Sequence, residues 1–264
     1  AHEVLRCLPP FSSQESHLPI AVGEGDLAYV AFTSGSTGVP KGIAGRHGPL
    51  THFLPWWNQQ FGVTANDRTT LLSGLTHDPL HRDLFSPLTT GGTIVIPDAA
   101  RIGEPSYLVR WMAEHKVTLA HLTPAMAQLA SERLAGDDTT IPSLRIVLLV
   151  GDALSLLDVR RLVEIAPNTR IVNLFGSTET QRSVSFHEIT AEERASALSP
   201  QSNAGRQVLP LGRGIRGTQL VVLSRPLDLA TAGIGEMGEI AIRSAHLAAG
   251  YWQDLERTAE KFLV

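Results

Sequence analysis

The feature that most constrains the fold is a series of short apolar segments separated by amphipathic ones. Segments such as "VTLAHL", "LRIVLLVG" and "TRIVNLFG" lack the every-second-residue polarity of a strand with one solvated face. Between them lie stretches with helical spacing of apolar residues, among them "PSYLVRWMAEHK" and "SLLDVRRLVEIAP". This alternation predicts an α/β fold in which mostly parallel sheets are flanked by helices.

The sequence changes in character near Pro200. Beyond it, "TQLVVLS" and "GEIAIRS" alternate with glycine-rich turns, which predicts a small β-rich subdomain. We therefore expect an α/β part over residues 1–200 and a β-rich part over residues 201–264. The chain does not begin with Met and stops at "TAEKFLV" without a turn signal, so we expect it to be a piece of a longer polypeptide.

Composition excludes several classes of function. A net charge of -4 over 264 residues, without a basic run, argues against a nucleic-acid partner. The longest apolar stretches have the length of strands, and the N-terminus lacks a secretory pattern, so neither membrane insertion nor secretion is expected. Cys7 is the only cysteine, which excludes an internal disulfide and a cysteine-based zinc site. A cytoplasmic location is the expectation that remains.

The segment "LAYVAFTSGSTGVPKG" joins an apolar strand to a loop of small and hydroxylated residues that ends in Lys41. Such a loop brings backbone N–H groups and hydroxyls close to an anion, and the lysine adds a point charge, so polyphosphate is the predicted ligand. The Walker loop is the obvious rival, but here Pro40 precedes the lysine and Gly42 follows it. A plain glycine-rich turn remains the structural alternative.

The full string resembles the phosphate-loop signature of the adenylate-forming superfamily, which includes nonribosomal peptide synthetase adenylation domains, acyl-CoA ligases and luciferases. The resemblance continues with "NLFGSTET", similar to the adenine and magnesium motif, and with "GEIAIRSAHLAAGYW", similar to the motif before the hinge. Within the superfamily, "HDPLHRDLF", "VGDAL" and "VNLFGSTETQRSVSF" look most like α-aminoadipate reductases and related bacterial synthetase modules. The mobile C-terminal lid of that family is not part of the sequence.

The resemblance implies roles for three catalytic residues. Lys41 would contact the β- and γ-phosphates, Thr178 the α-phosphate, and Glu179 would help to hold Mg²⁺. A solvated loop acid is the alternative for Glu179, and a structural turn is the alternative for residues 151–152. The remaining residues expected to bind ATP are Thr33, Ser34, Gly35, Ser36, Thr37, Gly38, Gly151, Asp152, Asn173, Phe175, Gly176 and Ser177.

Motif alignment with the same family also predicts an acid pocket. Asp78 stands where amino-acid-activating domains hold the α-ammonium. Arg82 and Arg182 together exceed what this one carboxylate balances, and a second substrate carboxylate would supply the missing anion. This favours an amino dicarboxylic acid such as aminoadipate, activated at the carboxyl farther from its charged end. The predicted pocket residues are His77, Asp78, Pro79, Arg82, His121, Leu148, Val150, Leu174, Arg182 and Ser183.

The charged residues of this stretch also have a less specific interpretation. Arg82 could pair with Asp83 or Asp78 outside the pocket, and Arg182 could reach solvent. Residues 77–83 could then be a solvated helix start with local ion pairs.

The implied reaction has two steps. The acid is first activated with ATP and Mg²⁺ to an acyl-adenylate and pyrophosphate, and the acyl group then passes to the phosphopantetheine thiol of a carrier protein domain. Neighbouring synthetase or reductase domains are the implied further partners. Three alternatives remain: an acyl-CoA ligase, a nucleotide-binding fragment without activity of its own, and a Walker-type NTPase that releases phosphate.

Overall fold

The fold is that of a computed structural model, which describes residues 21–33, 40–74, 77–132, 134–200, 207–225 and 229–263. The strands are β1 Leu27–Thr33, β2 Lys41–Arg46, β3 Arg68–Thr70, β4 Thr93–Val95, β5 Leu119–Leu122, β6 Ile146–Leu149, β7 Arg170–Ser177, β8 Arg182–Glu188, β9 Arg213–Gly214, β10 Thr218–Arg225, β11 Ala230–Thr231, β12 Glu239–Ser244 and β13 Gly250–Tyr251. The helices are α1 His47–Gln60, α2 Pro79–Thr90, α3 Tyr107–Glu114, α4 Pro124–Ser131, α5 Leu156–Ile165, α6 Ala191–Leu198 and α7 Leu255–Lys261.

A seven-stranded sheet forms the centre of the fold, in the order β4-β3-β5-β6-β7-β8-β9. The strands from β4 to β7 pair in parallel, whereas β8 and β9 are antiparallel additions at one edge. The predicted α/β class with a mostly parallel sheet is therefore confirmed.

Alternate residues of the central strands face two separate cores, as the pleat of a strand requires. On β6, Val147 and Leu149 pack into a cluster with residues of α3, α4 and α5. Ile146 and Leu148, on the opposite face, pack with Phe53 and other residues of α1. Helices on both faces explain why these strands are apolar at every position.

Side-chain N-caps are present at the starts of several helices. The side chain of Thr123 accepts a hydrogen bond from Met126 N at the start of α4, and Ser155 forms a capping box with Asp158 at the start of α5. Gly136, a residue type that commonly ends helices, does not end α4, which stops at Ser131. The carbonyl of the next residue, Glu132, instead accepts a hydrogen bond from Ser106 N, which draws the chain towards α3.

Two three-stranded antiparallel sheets, β1-β2-β13 and β11-β10-β12, complete the strand pairing. The segment "KGIAGR", which follows the predicted phosphate loop, forms β2, and α1 begins directly after it. Pairing with β1 on one side and β13 on the other holds this glycine-containing strand. The domain boundary near residue 200 stays a prediction. Strands beyond it join earlier ones, since β9 pairs with β8 and β13 with β2.

Among the helices of the described residues, none has the length and apolarity that crossing a bilayer requires.

Asp67 braces the amino-terminal edge of the large sheet. Its carboxylate accepts hydrogen bonds from Arg145 Nε at 2.8 Å, Thr118 Oγ1 at 2.7 Å and Thr64 N at 2.8 Å. Residues 67, 118 and 145 directly precede β3, β5 and β6, so one side chain joins the starts of three strands. Burial raises the pKa of Asp67, but these hydrogen bonds outweigh it and hold the pKa below its usual range.

We expect Asp67→Ala to lower the free energy of unfolding by about 3 kcal/mol, because the buried donors lose their acceptor. Since the folded pKa lies below the unfolded one, this contribution is complete above the unfolded pKa and is lost as pH falls through the folded pKa. Urea unfolding at neutral and acidic pH measures both effects. Asp138→Ala, at an exposed carboxylate, is the control, and equal losses in the two variants would contradict the assignment.

Candidate active site

A cavity of about 240 Å³ opens at the carboxyl-terminal edge of the large sheet, beside the start of α2. Thr123, Val150 and Thr178 directly follow β5, β6 and β7 in the chain. Parallel strands deliver these positions to one edge, where open α/β sheets bind their ligands. The cavity is lined by Leu50, Phe53, His77, Asp78, Pro79, Arg82, Thr123, Val150, Gly151, Gly176, Ser177, Thr178, Gln181, Arg182 and Ser183.

Most of the residues predicted for the acid pocket line this cavity. They are His77, Asp78, Pro79, Arg82, Val150, Arg182 and Ser183, and four predicted nucleotide-binding residues, Gly151, Gly176, Ser177 and Thr178, lie with them. The structure does not place Leu148, Leu174 and His121 at the cavity wall, since all three are buried beneath it. The reason is the pleat, which turns Leu148 and Leu174 into the core against α1. Their roles stay predictions.

Asp78 and Thr178 come from two different segments of the cavity wall and contact each other. Asp78 is the residue before α2, and Thr178 begins the short turn between β7 and β8. Thr178 Oγ1 donates a hydrogen bond to Asp78 Oδ1 at 3.1 Å. Burial raises the pKa of Asp78 above its usual range, although Thr178 and the nearby Arg82 act in the opposite direction. The predicted ammonium partner therefore lies in direct contact with the predicted α-phosphate ligand.

Arg82 is 6% exposed and contacts Asp83 and Trp57. Its Nε donates to Asp83 Oδ1 at 2.9 Å, and its guanidinium carbon lies 5.3 Å from the centroid of the Trp57 ring. His121 Nδ1 lies 2.8 Å from the same Asp83 oxygen. Among the described residues, none accepts a hydrogen bond from the two terminal nitrogens of Arg82. Arg82 thus pairs with Asp83, as one alternative anticipated, and still lines the cavity.

The protonation states within this cluster differ. Burial lowers the pKa of His121 to about 4, so this ring is neutral at pH 7. Burial raises the pKa of Asp83, but the charge of Arg82 and the close contact with His121 outweigh it and hold the pKa well below its usual range. Ser73 Oγ adds a hydrogen bond to Asp83 Oδ2 at 2.5 Å. Asp83 is therefore ionised and neutralises the charge of Arg82 through the contact with its Nε.

Arg182 is a buried cation of a different kind, and it is only 5% exposed rather than directed to solvent. One terminal nitrogen donates to the carbonyls of Thr180 and His246, and the other donates to Ser244 Oγ at 3.3 Å. Its Nε is buried without a partner among the described residues. No described carboxylate forms an ion pair with it, and burial lowers its pKa to about 10. Arg182 therefore contributes an unneutralised positive charge near the cavity.

Glu179 lies in the β7–β8 turn and contacts residues near the C-terminal end of the sequence. Its Oε1 accepts a hydrogen bond from Tyr251 OH at 2.7 Å, and its carbonyl accepts one from Ala248 N at 3.1 Å. Burial raises the pKa of Glu179, but the hydrogen bond from Tyr251, together with the charge of Lys41, brings it below its usual range. Glu179 is thus an ionised carboxylate in the electrostatic reach of Lys41.

Lys41 and Thr33 face each other at the loop end of the β1–β2 hairpin, where their Cα atoms are paired. The predicted phosphate loop connects them, but Ser34, Gly35, Ser36, Thr37 and Gly38 lie outside the described residues.

The donor set at Glu179 fits Mg²⁺ rather than a metal held by a protein cage. Mg²⁺ is usually bound by one or two carboxylates and completes its shell with phosphate oxygens and water. In the described part of the chain, no three His, Cys, Asp or Glu side chains gather into a metal-binding group. A single ionised carboxylate near a lysine that is predicted to bind phosphate matches the magnesium pattern.

The residues predicted to surround the adenine lie close to the cavity or behind it. Asn173 is buried, and its Nδ2 donates to Pro210 O at 2.8 Å. Phe175 is half-buried, and Asp152 is exposed with Oδ1 accepting from its neighbour Ala153 N. Gly151 has a φ of +104°, a conformation that favours glycine. Their contacts with a nucleotide stay predictions.

Sequence reasoning missed four cavity residues, Leu50, Phe53, Thr123 and Gln181. Thr123 carried a signal, because a threonine before Pro124 caps a helix that directly follows a parallel strand. Gln181 adjoins the quoted nucleotide motif, but nothing in the letters indicates what its amide contacts. Leu50 and Phe53 approach the cavity through the packing of α1, which only the tertiary fold shows.

Comparison with known proteins agrees with this geometry. The family described as AMP-binding enzyme matches residues 6–252. The L-2-aminoadipate reductase of Schizosaccharomyces pombe is 43% identical over 244 residues, which cover 92% of this chain and 17% of that protein. Pyochelin synthetase PchF of Pseudomonas aeruginosa is 34% identical over 243 residues, covering 92% of this chain and 13% of that protein.

A solved structure shows the same fold. The nonribosomal peptide synthetase FmoA3, in its alpha-methyl-L-serine-AMP-bound form, matches with a TM-score of 0.77 and 32% identity over 91% of this chain and 26% of that one. The chain thus spans less than a fifth of the length of the curated relatives that it matches. Because the family match runs over nearly the whole sequence and the fold is that of a synthetase adenylation domain, the chain belongs to the AMP-binding enzymes.

Proposed function

We propose that this chain carries the site at which an amino dicarboxylic acid is activated with ATP to an acyl-adenylate. The observation that supports it best is the hydrogen bond between Thr178 and Asp78, since it joins the nucleotide motif to the acid-binding helix in one cavity. A carboxylate oxygen of the acid attacks the α-phosphorus, and the bond from that phosphorus to the bridging oxygen of pyrophosphate breaks. No covalent nucleophile from the protein is required.

The contribution of the protein to this step is positioning and charge. Lys41 binds the β- and γ-phosphate oxygens. The single hydroxyl proton of Thr178, which Asp78 accepts in this structure, would turn to the α-phosphate when ATP is bound, so both residues offer donors where negative charge develops. Glu179 would hold Mg²⁺, which when bound supplies positive charge to the phosphate oxygens. The hydrogen bond from Tyr251 keeps the Glu179 carboxylate directed to one side of the turn.

The charges of the cavity favour the substrate class. Asp78 and Arg82 are one helical turn apart on the same face of α2, roughly 6 Å along its axis, so a substrate can meet both. Asp83 already balances Arg82 through Nε, whereas the terminal nitrogens of Arg82 have no acceptor among the described residues. An ammonium group on Asp78 and a second carboxylate on Arg82 would complete the set, with Arg182 adding positive potential.

The first test is substrate-dependent ATP–pyrophosphate exchange by the full-length protein, screened over neutral amino acids and amino dicarboxylic acids. We expect the dicarboxylic acids to be preferred. In Arg82→Lys a cation remains to pair with Asp83, but the planar guanidinium, which can bind a carboxylate through two hydrogen bonds, is lost. The KM for the preferred acid should rise roughly 10- to 100-fold, as expected for a lost charge-assisted hydrogen bond, and the KM for ATP should stay unchanged.

Arg101→Lys is the matched control, since Arg101 forms an exposed ion pair with Glu104 away from the cavity. A preference for a neutral apolar amino acid, or unchanged selectivity in Arg82→Lys, would contradict the substrate assignment.

Lys41→Ala tests the nucleotide side. We expect the rate of exchange to fall at least tenfold. Thermal unfolding should change little, because Lys41 lies at the loop end of a hairpin and is not part of a core cluster. Lys116→Ala, at an exposed lysine after α3, should behave as wild type. Wild-type exchange in Lys41→Ala would remove this lysine from the mechanism.

Glu179→Gln tests the magnesium assignment, because the amide keeps the shape of the side chain and loses its charge. The Mg²⁺ concentration for half-maximal exchange should rise several-fold, and added Mg²⁺ should partly restore the rate. Glu188→Gln, which removes an exposed partner of Arg170, is the control. If the magnesium dependence of the two variants is the same as in wild type, Glu179 is a solvated loop acid.

The acceptor of the acyl group belongs to the same proposal. The relatives named above are reductase and synthetase proteins several times longer than this chain, which supports a carrier-protein thiol as acceptor and further domains as partners. An acyl-CoA ligase is the alternative. Acyl transfer to free CoA in preference to a phosphopantetheinylated carrier protein would favour that alternative.

A further inference from the structure

Gln181 is a buried polar residue with a role that the reaction does not explain. It is 2% exposed and closes the turn between β7 and β8, where Ser177 and Arg182 are paired. Its φ of +58° lies in the left-handed region, which is uncommon for residues other than glycine and asparagine. A glutamine that keeps this conformation in a buried turn indicates that its side chain is needed there.

The side chain amide of Gln181 makes three hydrogen bonds to the β1–β2 hairpin. Its Oε1 accepts from Arg46 N at 3.0 Å. Its Nε2 donates to Arg46 O at 3.1 Å and to Tyr29 OH at 3.2 Å. One amide thus satisfies both backbone groups at the junction of β2 and α1 and binds a side chain of β1.

These contacts join two hairpin turns of the site. The β1–β2 hairpin carries Lys41 at one end of β2, and Gln181 holds the other end of that strand. The β7–β8 turn carries Thr178 and Glu179, which lie three and two residues before Gln181. The opposite side of this turn is fixed by Tyr251 and Ala248, and β13 itself pairs with β2.

The approach is close and allows little adjustment. A Cβ atom at Gly45 would lie 2.6 Å from the Tyr29 ring and 2.8 Å from Gln181 Nε2. Glycine at this position therefore lets strand β2 lie directly against the amide. The distance between the two hairpins is set by contacts that a shorter or apolar side chain would not reproduce.

We propose that Gln181 is a positioning residue that fixes the phosphate-binding hairpin of Lys41 relative to the turn of Thr178 and Glu179. This inference rests on the proposed adenylation function. The donors and the magnesium ligand come from segments far apart in the sequence. Gln181 borders the cavity, but its amide is engaged by Arg46 and Tyr29 and in this way holds these segments in one geometry. Its loss therefore affects the use of ATP more than the binding of the acid.

The test compares Gln181→Met with Gln253→Met in the full-length protein. Methionine keeps the length of the side chain and removes its hydrogen bonds. Gln253 also has a left-handed φ, of +56°, but it is exposed, so it controls for the backbone conformation. In Gln181→Met we expect kcat/KM for ATP to fall 10- to 100-fold, with the KM for the acid changed less than threefold. Gln253→Met should match wild type.

Tyr29→Phe supplies a second, milder variant, because it removes one of the three hydrogen bonds. It should lower kcat/KM for ATP about threefold, and adding it to Gln181→Met should have no further effect, since the two side chains act through one contact. If Gln181→Met does not fold, Tyr29→Phe decides alone, and unchanged ATP kinetics would overturn the proposal.

The remaining outcomes are also decisive. A fall in kcat with both KM values unchanged would indicate a smaller folded fraction and a purely structural role, which overturns the proposal. Equal losses for ATP and acid would overturn it as well. Absence of exchange in wild type would overturn the proposed function itself, whereas exchange in wild type with unaffected variants would overturn this inference alone.

Discussion

The parallel pairing of β5, β6 and β7 is the constraint on which the rest of the site depends. Parallel strands end at the same edge of a sheet, so the residues that directly follow them lie close together in space. Thr123, Val150 and Thr178 reach the cavity in this way. Asp67 supports the arrangement from the opposite edge, where its carboxylate joins the residues that directly precede β3, β5 and β6.

The electrostatics of the cavity follow from burial. A buried charge without a partner costs several kcal/mol, and the structure meets this cost differently for its two arginines. Arg82 has a carboxylate, an aromatic face and a neutral histidine around it. Arg182 has only carbonyls and a hydroxyl. Because Asp83 serves Arg82 from behind, Asp78 stays available at the cavity, which is the asymmetry that an amino acid carrying a second carboxylate would match.

The groups proposed to be catalytic come from distant parts of the chain. The β1–β2 hairpin meets β13 through strand pairing and meets the β7–β8 turn through Gln181. Tyr251 of β13 in turn contacts Glu179. Each of the three segments touches the other two, so a shift in one of them moves groups on both of the others. Residues beyond 200 therefore contact segments that carry predicted site residues, through β13 and Tyr251.

The sequence by itself determined the α/β class, because only strands covered on both faces are apolar at every position, and it determined the phosphate and nucleotide motifs, whose side chains are local. It also placed Asp78, Arg82, Thr178 and Arg182 near one cavity. The tertiary structure alone decided which charges are paired, that Leu148 and Leu174 face the core, and that β2 pairs with both β1 and β13. Pairing, burial and the contacts of Gln181 join residues that are far apart in the chain, and no local pattern of letters records the distance between them.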